Sequence, residues 1–175
     1  MNISSSKGFS LVETMVALGV LTTGVLGTAA VLTTGMQKLS SSPADVVVTQ
    51  KASEAIEAVF AARDRLGWTA IKNTSGGGVF LTGPQPLKLA GDDGFVNTAD
   101  DATQPVESVT FPGKDQTLGT SDDSTTVLTS FTREIAIADV AGENGQLRSV
   151  VVTIRYQNGP TIRTYTLTTY ISGYS

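Results

Sequence analysis

The sequence predicts an α+β protein: one long N-terminal helix, membrane-spanning in its first half and amphipathic in its second, packed against a small antiparallel β-sheet. Three observations predict it. Residues 9–32 form an almost unbroken apolar run. Residues 48–66 repeat apolar side chains at spacings of three and four, the period of a helix with one buried face. From residue 127 onward, apolar and polar side chains alternate with the period of a strand, interrupted by turn residues.

The apolar run comes first. From Phe9 to Leu32 the side chains are almost all Leu, Val, Ala, Gly, Met and Thr, and Glu13 alone can carry a charge. About 20 such residues at 1.5 Å rise each are enough to cross a bilayer core. A secretory signal and a plain signal anchor are rival readings. Lys7 precedes the run, and the small residues Gly27, Thr28, Ala29 and Ala30 lie near its far end. The run exceeds the usual signal core of roughly 7–15 residues, however, and a carboxylate near its start is unusual. That carboxylate bears most on the choice, because an acid near the centre of a membrane helix costs roughly 2.5–3.5 kcal/mol unless it sits near the interface or finds a cation. Cleavage after Gly8 would supply one, the new α-amino group of Phe9, in the same chain or in a neighbour.

The segment Lys7-Gly8-Phe9-Ser10-Leu11-Val12-Glu13, followed by Met15-Val16-Ala17-Leu18, resembles the class III signal of type IV pilins and type II secretion pseudopilins. The resemblance covers about the first 35 residues. It implies a prepilin leader over residues 1–8, cleavage by prepilin peptidase between Gly8 and Phe9, and N-methylation of Phe9. Glu13 becomes the assembly residue that pairs with the amino terminus of an adjacent subunit. Many major pilins carry a proline where this chain has Ala30. Its absence, with Leu18-Gly19-Val20-Leu21-Thr22-Thr23-Gly24, is more similar to minor pilins of the PilV kind or the corresponding pseudopilin. The glycines at 19, 24 and 27 would still loosen the helix, each costing about 1 kcal/mol against alanine.

Composition narrows the rest. The 175 residues leave room beyond the membrane segment for one small globular domain. With no cysteine there is no disulfide framework, and with no histidine there is no Ser-His or Cys-His nucleophilic pair, so an enzyme is not expected. The net charge of −4 is unevenly spread. Asp92, Asp93, Asp100, Asp101, Glu107, Asp115, Asp122 and Asp123 crowd into one segment with Lys114 as its single base, leaving eight acids against eleven bases elsewhere. No clustered Lys/Arg surface for nucleic acid is visible.

Beyond the membrane segment of residues 9–35, residues 36–66 are expected to form a periplasmic amphipathic helix. Ser40-Ser41-Ser42-Pro43 is expected to interrupt or kink the helical path, with Ser42 as N-cap, Pro43 at the first helical position and Asp45 in the first turn of a second helical segment. Ala52, Ala55, Ile56, Val59, Ala62 and Leu66 then share the core face, opposite Lys51, Glu54, Glu57 and Asp64, and Gly67 helps to end the helix. Residues 67–126 read as a loop-rich acidic region. Within it, Val79-Phe80-Leu81 is a candidate short strand, the prolines at 84 and 86 argue for a loop or a sheet edge, and Trp68 reads as a core or hinge residue.

The acidic region holds a weak internal repeat, in which residues 91–103 align with residues 113–125. Each copy carries an aspartate (Asp93, Asp115), a turn, an apolar residue, a threonine and a pair of aspartates (Asp100-Asp101, Asp122-Asp123). Such spacing suits the oxygen coordination of calcium, which makes these six aspartates candidate ligands, although the EF-hand pattern is not met. The competing reading is two solvated turns built from residues that cap tight bends.

Residues 127–175 read as antiparallel β-structure. Phe131, Ile135 and Ile137 share one side of the first strand; Val150, Val152, Ile154 and Tyr156 share one side of the next. Asn158-Gly159 is a two-residue hairpin signal. With those two residues as the turn, Val152 faces Tyr165 and Val150 faces Leu167, while Pro160, lacking the amide that closes such a turn, argues for a longer loop. About three strands are therefore expected against the helix of residues 44–66, with Arg155 and Arg163 on solvated or subunit-facing sides.

Taken with the resemblance, the expected function is a minor pilin of a type IV pilus. It would be held in the inner membrane by a single pass with a periplasmic domain, then incorporated through its N-terminal helix into a filament, in a tip or initiation complex. Its partners would be other pilin or pseudopilin subunits, prepilin peptidase, the inner-membrane assembly platform, and membrane lipid before assembly. The alternatives are a type II secretion minor pseudopilin and a membrane-tethered calcium-binding module.

Overall fold

The computed structural model describes residues 10–158 and 160–174, with the side chains of residues 37–43 and Asn158 outside the description. It divides into two compact units, Met1–Pro43 and Ala44–Ser175. Helix α1 is assigned over Leu11–Leu66. Helical hydrogen bonding thus continues through residues 40–43, where the sequence argues for an interruption. A proline removes only one ladder bond, so backbone helix is retained there, while the division between the units falls after Pro43, inside the segment expected to break.

In the first unit the helix starts at a cap. Ser10 Oγ accepts the Glu13 amide at 3.2 Å, the geometry of a Ser-x-x-Glu N-terminus. Leu11–Met36 is long and apolar enough to cross a membrane. Its threonines do not spoil that property, because their hydroxyls donate to carbonyls one turn back. Thr23 bonds Val20 at 2.9 Å, Thr28 bonds Val25 at 2.9 Å, and Thr33 bonds Ala29 at 2.9 Å. The helix therefore presents methyl groups and no free donors to its surroundings.

The second unit has its own core. Val48, Ala52, Ala55, Val59 and Ala62 are buried on one helical face, the face that the spacing predicts; Ile56 is half-buried and Leu66 lies at its exposed end. Alanines let the helix approach the sheet closely. Gly67, at φ 86°, ends the helix with its amide bonded to the Arg63 carbonyl at 2.9 Å. Opposite lie Ile135, Val150, Val152, Ile154, Tyr156 and Ile171, all buried in the same cluster.

The main sheet has four strands in the order β1-β4-β5-β6, formed by β1 (Gln85–Pro86), β4 (Phe131–Asp139), β5 (Leu147–Asn158) and β6 (Thr161–Ser172). Strands β4 to β6 are the expected antiparallel meander. The short β1, carrying Pro86, is an edge strand, as prolines require. Residues 79–81 do not form a strand: Phe80 makes an isolated bridge to Asn73 and points its ring into the core.

Two features depart from expectation. The β5–β6 pair closes with Asn158 opposite Thr161, so Val152 faces Leu167 and Ile154 faces Tyr165, a register two residues from the expected one. Pro160 explains it: placed in the loop it needs no amide, whereas the other register would put it where a donor is required. Because the shift is two residues, the apolar faces still coincide. The second feature is a separate two-stranded sheet, β2 (Ser108–Phe111) with β3 (Ser124–Val127), which displays the second copy of the acidic repeat at its tip.

Candidate functional site

The residues expected to carry processing, Gly8 and Phe9, lie outside the described residues, as does Lys7. Glu13 is described. It stands in the first turn of α1, a position where a negative charge is favoured by the helix dipole, and the described helix from Leu11 to Met36 contains no other ionisable side chain. Its large apolar neighbours on the helix are all exposed, Leu11 at 76%, Val12 at 68% and Met15 at 65%. Within this first unit, then, an apolar surface with a lone acid near its start is available for lipid or for another helix.

Comparison with known proteins bears on this segment. Residues 3–29 match the family model of the prokaryotic N-terminal methylation motif, a span that includes Gly8, Phe9 and Glu13. The match supports a type IV pilin-like or pseudopilin protein, of the kind processed by prepilin peptidase and assembled with other pilin subunits. The motif is that of structural subunits. No curated protein and no solved structure matches the chain.

The six aspartates singled out for calcium fall into two loops that share one backbone design. In the first, Phe95 N donates to Asp93 Oδ1 at 2.7 Å, Thr98 Oγ1 to Asp100 Oδ1 at 2.7 Å, and Thr98 N to Asp101 Oδ2 at 3.2 Å. In the second, Thr117 N donates to Asp115 Oδ1 at 2.9 Å, Thr120 Oγ1 to Asp122 Oδ1 at 2.7 Å, and Thr120 N to Asp123 Oδ2 at 3.3 Å. Positive φ occurs at matched places, Gly94 with Gln116 and Asn97 with Gly119. The opening glycine is required in both: a Cβ on Gly91 would lie 2.3 Å from Asp100 Oδ2, and one on Gly113 would lie 2.2 Å from Asp122 Oδ2.

These carboxylates are therefore occupied largely by their own loops' amides and hydroxyls. Among the described residues, no group of three or more His, Cys, Asp or Glu side chains is placed to hold a metal ion. The structure brings Asp93, Asp100 and Asp101 into one loop and Asp115, Asp122 and Asp123 into the other, each set arranged as a turn.

The hydrogen bonds set the charges. The Asp93 amide, then the Thr98 hydroxyl, hold the Asp100 carboxyl below the usual carboxylate range, and the Thr120 hydroxyl does the same for Asp122. Burial pushes Asp101 the other way. A depressed folded pKa means that stabilisation by Asp100 and Asp122 is complete above the ordinary carboxylate value and is lost as pH falls through the lower folded value. Hydrogen-exchange protection of the Asp93 and Lys114 amides, which donate to Asp100 and Asp122 at 2.9 and 2.6 Å, should accordingly hold at pH 7 and fall away below about pH 4.

Sequence reasoning missed a buried charge network. Arg133 is fully buried, its Nε donating to Asn97 Oδ1 at 2.8 Å while Asn97 Nδ2 returns a bond to the Arg133 carbonyl at 3.0 Å. Glu107, also buried, lies 3.5 Å from Arg133 Nη2 and forms an ion pair with Lys51, which reaches Glu54 at 2.7 Å. Burial alone would lower the Lys51 pKa, but Glu107 and Glu54 outweigh it and hold the ammonium above its usual value. Burial, opposed by Glu107, brings Arg133 below its own. The signal was in the alternation: Arg133 shares parity with Phe131 and Ile135, so a core-facing cation needing an acid was legible there.

A second arginine clamps the connector after the helix. Arg148 sits 4.0 Å over the Trp68 ring, donates to the Trp68 and Ile71 carbonyls, and bonds Asp139 Oδ1 at 2.8 Å. Trp68 Nε1 donates to the Gly145 carbonyl at 2.9 Å. The lone tryptophan is a packing residue that ties the connector to the β4–β5 turn.

Proposed function

We propose that the chain is a minor pilin of a type IV pilus, of the PilV kind, matured between Gly8 and Phe9, N-methylated on Phe9 and built into the filament through α1. The observation that carries this reading is the lone acid, Glu13, at the start of an exposed apolar helix inside the matched methylation motif. An unpaired carboxylate there is costly in lipid. A neighbouring subunit's amino terminus removes that cost, so pairing selects the assembled state over the dispersed one.

In this reading the chain waits in the inner membrane with Ala44–Ser175 as its periplasmic domain. It is handed by the assembly platform to a tip or initiation complex of other pilin-like subunits. The core of the second unit is closed by the helix and sheet, and its outer faces offer surface to neighbouring subunits. The mass of the mature N-terminus tests the processing step: the expected polypeptide begins at methylated Phe9, and one that keeps Met1 or is cut near Ala30 overturns the reading. Deletion is expected to remove surface pili; loss of protein secretion with pili intact would assign the chain to a secretion pseudopilus instead.

A further inference from the structure

The main sheet has two unlike edges. At one, β1 is two residues long and carries Pro86, features that blunt an edge. At the other, β6 runs for 12 residues in unbroken register with β5, without a bulge, a proline or a glycine. Its one charged side chain, Arg163, lies 3.9 Å from Asp45.

The backbone of that edge is open. Gly173 N donates to the Gln146 carbonyl at 2.7 Å. By the alternation of an antiparallel ladder, the odd-numbered residues of β6 therefore bond to β5, and the even-numbered ones turn their N–H and C=O groups outward. Among the described residues, only the Ser172 carbonyl at the end of this row is taken, by Arg63 Nη1 at 3.5 Å. From Ile162 to Tyr170 the row awaits an extended chain, the occupant that such an edge accepts.

The side chains say which chain. About Thr166, β6 reads nearly alike in both directions: Thr164 and Thr168 flank it on the outer face, Tyr165 and Leu167 on the core face. Further out on the outer face stand Ile162, 73% exposed, and Tyr170, 59% exposed. A second β6, antiparallel about a two-fold axis at Thr166, sets threonine opposite threonine, Tyr165 opposite Leu167 and Ile162 opposite Tyr170, the kinds of cross-strand pair that stabilise a sheet. Arg163 then faces Thr169, so the two arginines are kept apart, whereas a parallel copy in register would bring them together. Tyr165 and Leu167 are half-buried at the rim of the core, and the copy covers that rim.

We propose that the second unit pairs with a second copy of itself through β6, antiparallel about Thr166, joining the two main sheets into one. Such a pair is isologous and stops at two, while the contact that repeats along a filament is heterologous. It is therefore a contact additional to the packing of α1, and it does not rest on the function proposed above.

The chain has no cysteine, so single cysteines introduced into the full chain in detergent report the pairing. Thr166→Cys is expected to form a disulfide-linked dimer, because the Cα atoms of a hydrogen-bonded antiparallel pair lie about 5.5 Å apart, within disulfide reach. Thr164→Cys and Thr168→Cys should each stay uncrosslinked alone and crosslink when mixed, which is the signature of this register. Thr166→Lys sets two like charges against each other at the axis. It should weaken the dimer about tenfold, read as the dimer fraction on dilution, with circular dichroism unchanged. A parent chain that is monomeric at the crosslinking concentration overturns the proposal. So does a dimer that is indifferent to Thr166→Lys and uncrosslinked at 166, since the apolar surface of α1 then holds it together. Self-crosslinking of Thr168→Cys with none at 166 overturns the axis.

Discussion

Glu13→Ala is expected to leave the chain in the membrane fraction, with the N-terminus still cut before Phe9, and to remove it from filaments. Insertion should become easier, since an acid at membrane depth costs roughly 2.5–3.5 kcal/mol near the centre and alanine costs nearly nothing. Incorporation should suffer because the charge-assisted contact to a neighbour's amine, worth about 1.5–3 kcal/mol, is gone. That corresponds to roughly 10- to 100-fold less chain in sheared filaments relative to the membrane pool. Glu13→Gln separates charge from shape: it keeps the cap at Ser10 and the side-chain length, yet should behave like alanine in assembly. Fractionation by shearing, quantified by immunoblot, reads both variants. Normal incorporation of either would show that apolar packing of α1 suffices and that Glu13 has another task.

How far the sequence reaches follows from what each signal encodes. The N-terminal segment is legible because its physics is local: an apolar run of membrane length and one carboxylate need no tertiary partner to be read. Helix α1 in the second unit and strands β4 to β6 are legible for the same reason, since the spacing of Ala52, Ala55, Val59 and Ala62, and the alternation through Val150, Val152 and Ile154, report a buried face directly. The β5–β6 register was not, because Asn158-Gly159 is a strong local signal overridden by the donor that Pro160 lacks. The β2–β3 hairpin was missed because β3, Ser124–Val127, is exposed along its length, and the alternation of Val109 and Phe111 with Ser108 and Thr110 in β2 is only four residues long. The acidic repeat was visible as spacing. Its use of carboxylates to bind backbone amides depends on where the turns fold back, which pairwise alignment of residues 91–103 with 113–125 does not state.

The largest effect on stability is expected at the Glu107–Arg133 pair. Glu107→Gln keeps the size of the side chain and deletes its charge, leaving the fully buried Arg133 guanidinium without its acid and Lys51 with Glu54 alone. Removing one partner of a buried pair costs about 3–5 kcal/mol because the other charge is stranded, roughly a fifth or more of the stability of an ordinary domain. Unfolding of the full chain in detergent, followed through the fluorescence of Trp68, its only tryptophan, should show a midpoint lower by roughly 10 °C or more. The double change Glu107→Leu with Arg133→Met removes both charges, and with them the buried Glu107 carboxylate oxygens and Arg133 terminal nitrogens, which are held by ion pairs without hydrogen bonds of good geometry. It should recover most of the loss, since buried ion pairs replaced by apolar groups of similar volume are often no less stable. A single variant as stable as the parent would mean that water already compensates both groups. A double variant as unstable as the single would mean that losing the Arg133 Nε–Asn97 Oδ1 hydrogen bond, which ties β4 to the first acidic loop, offsets the gain from removing the charges.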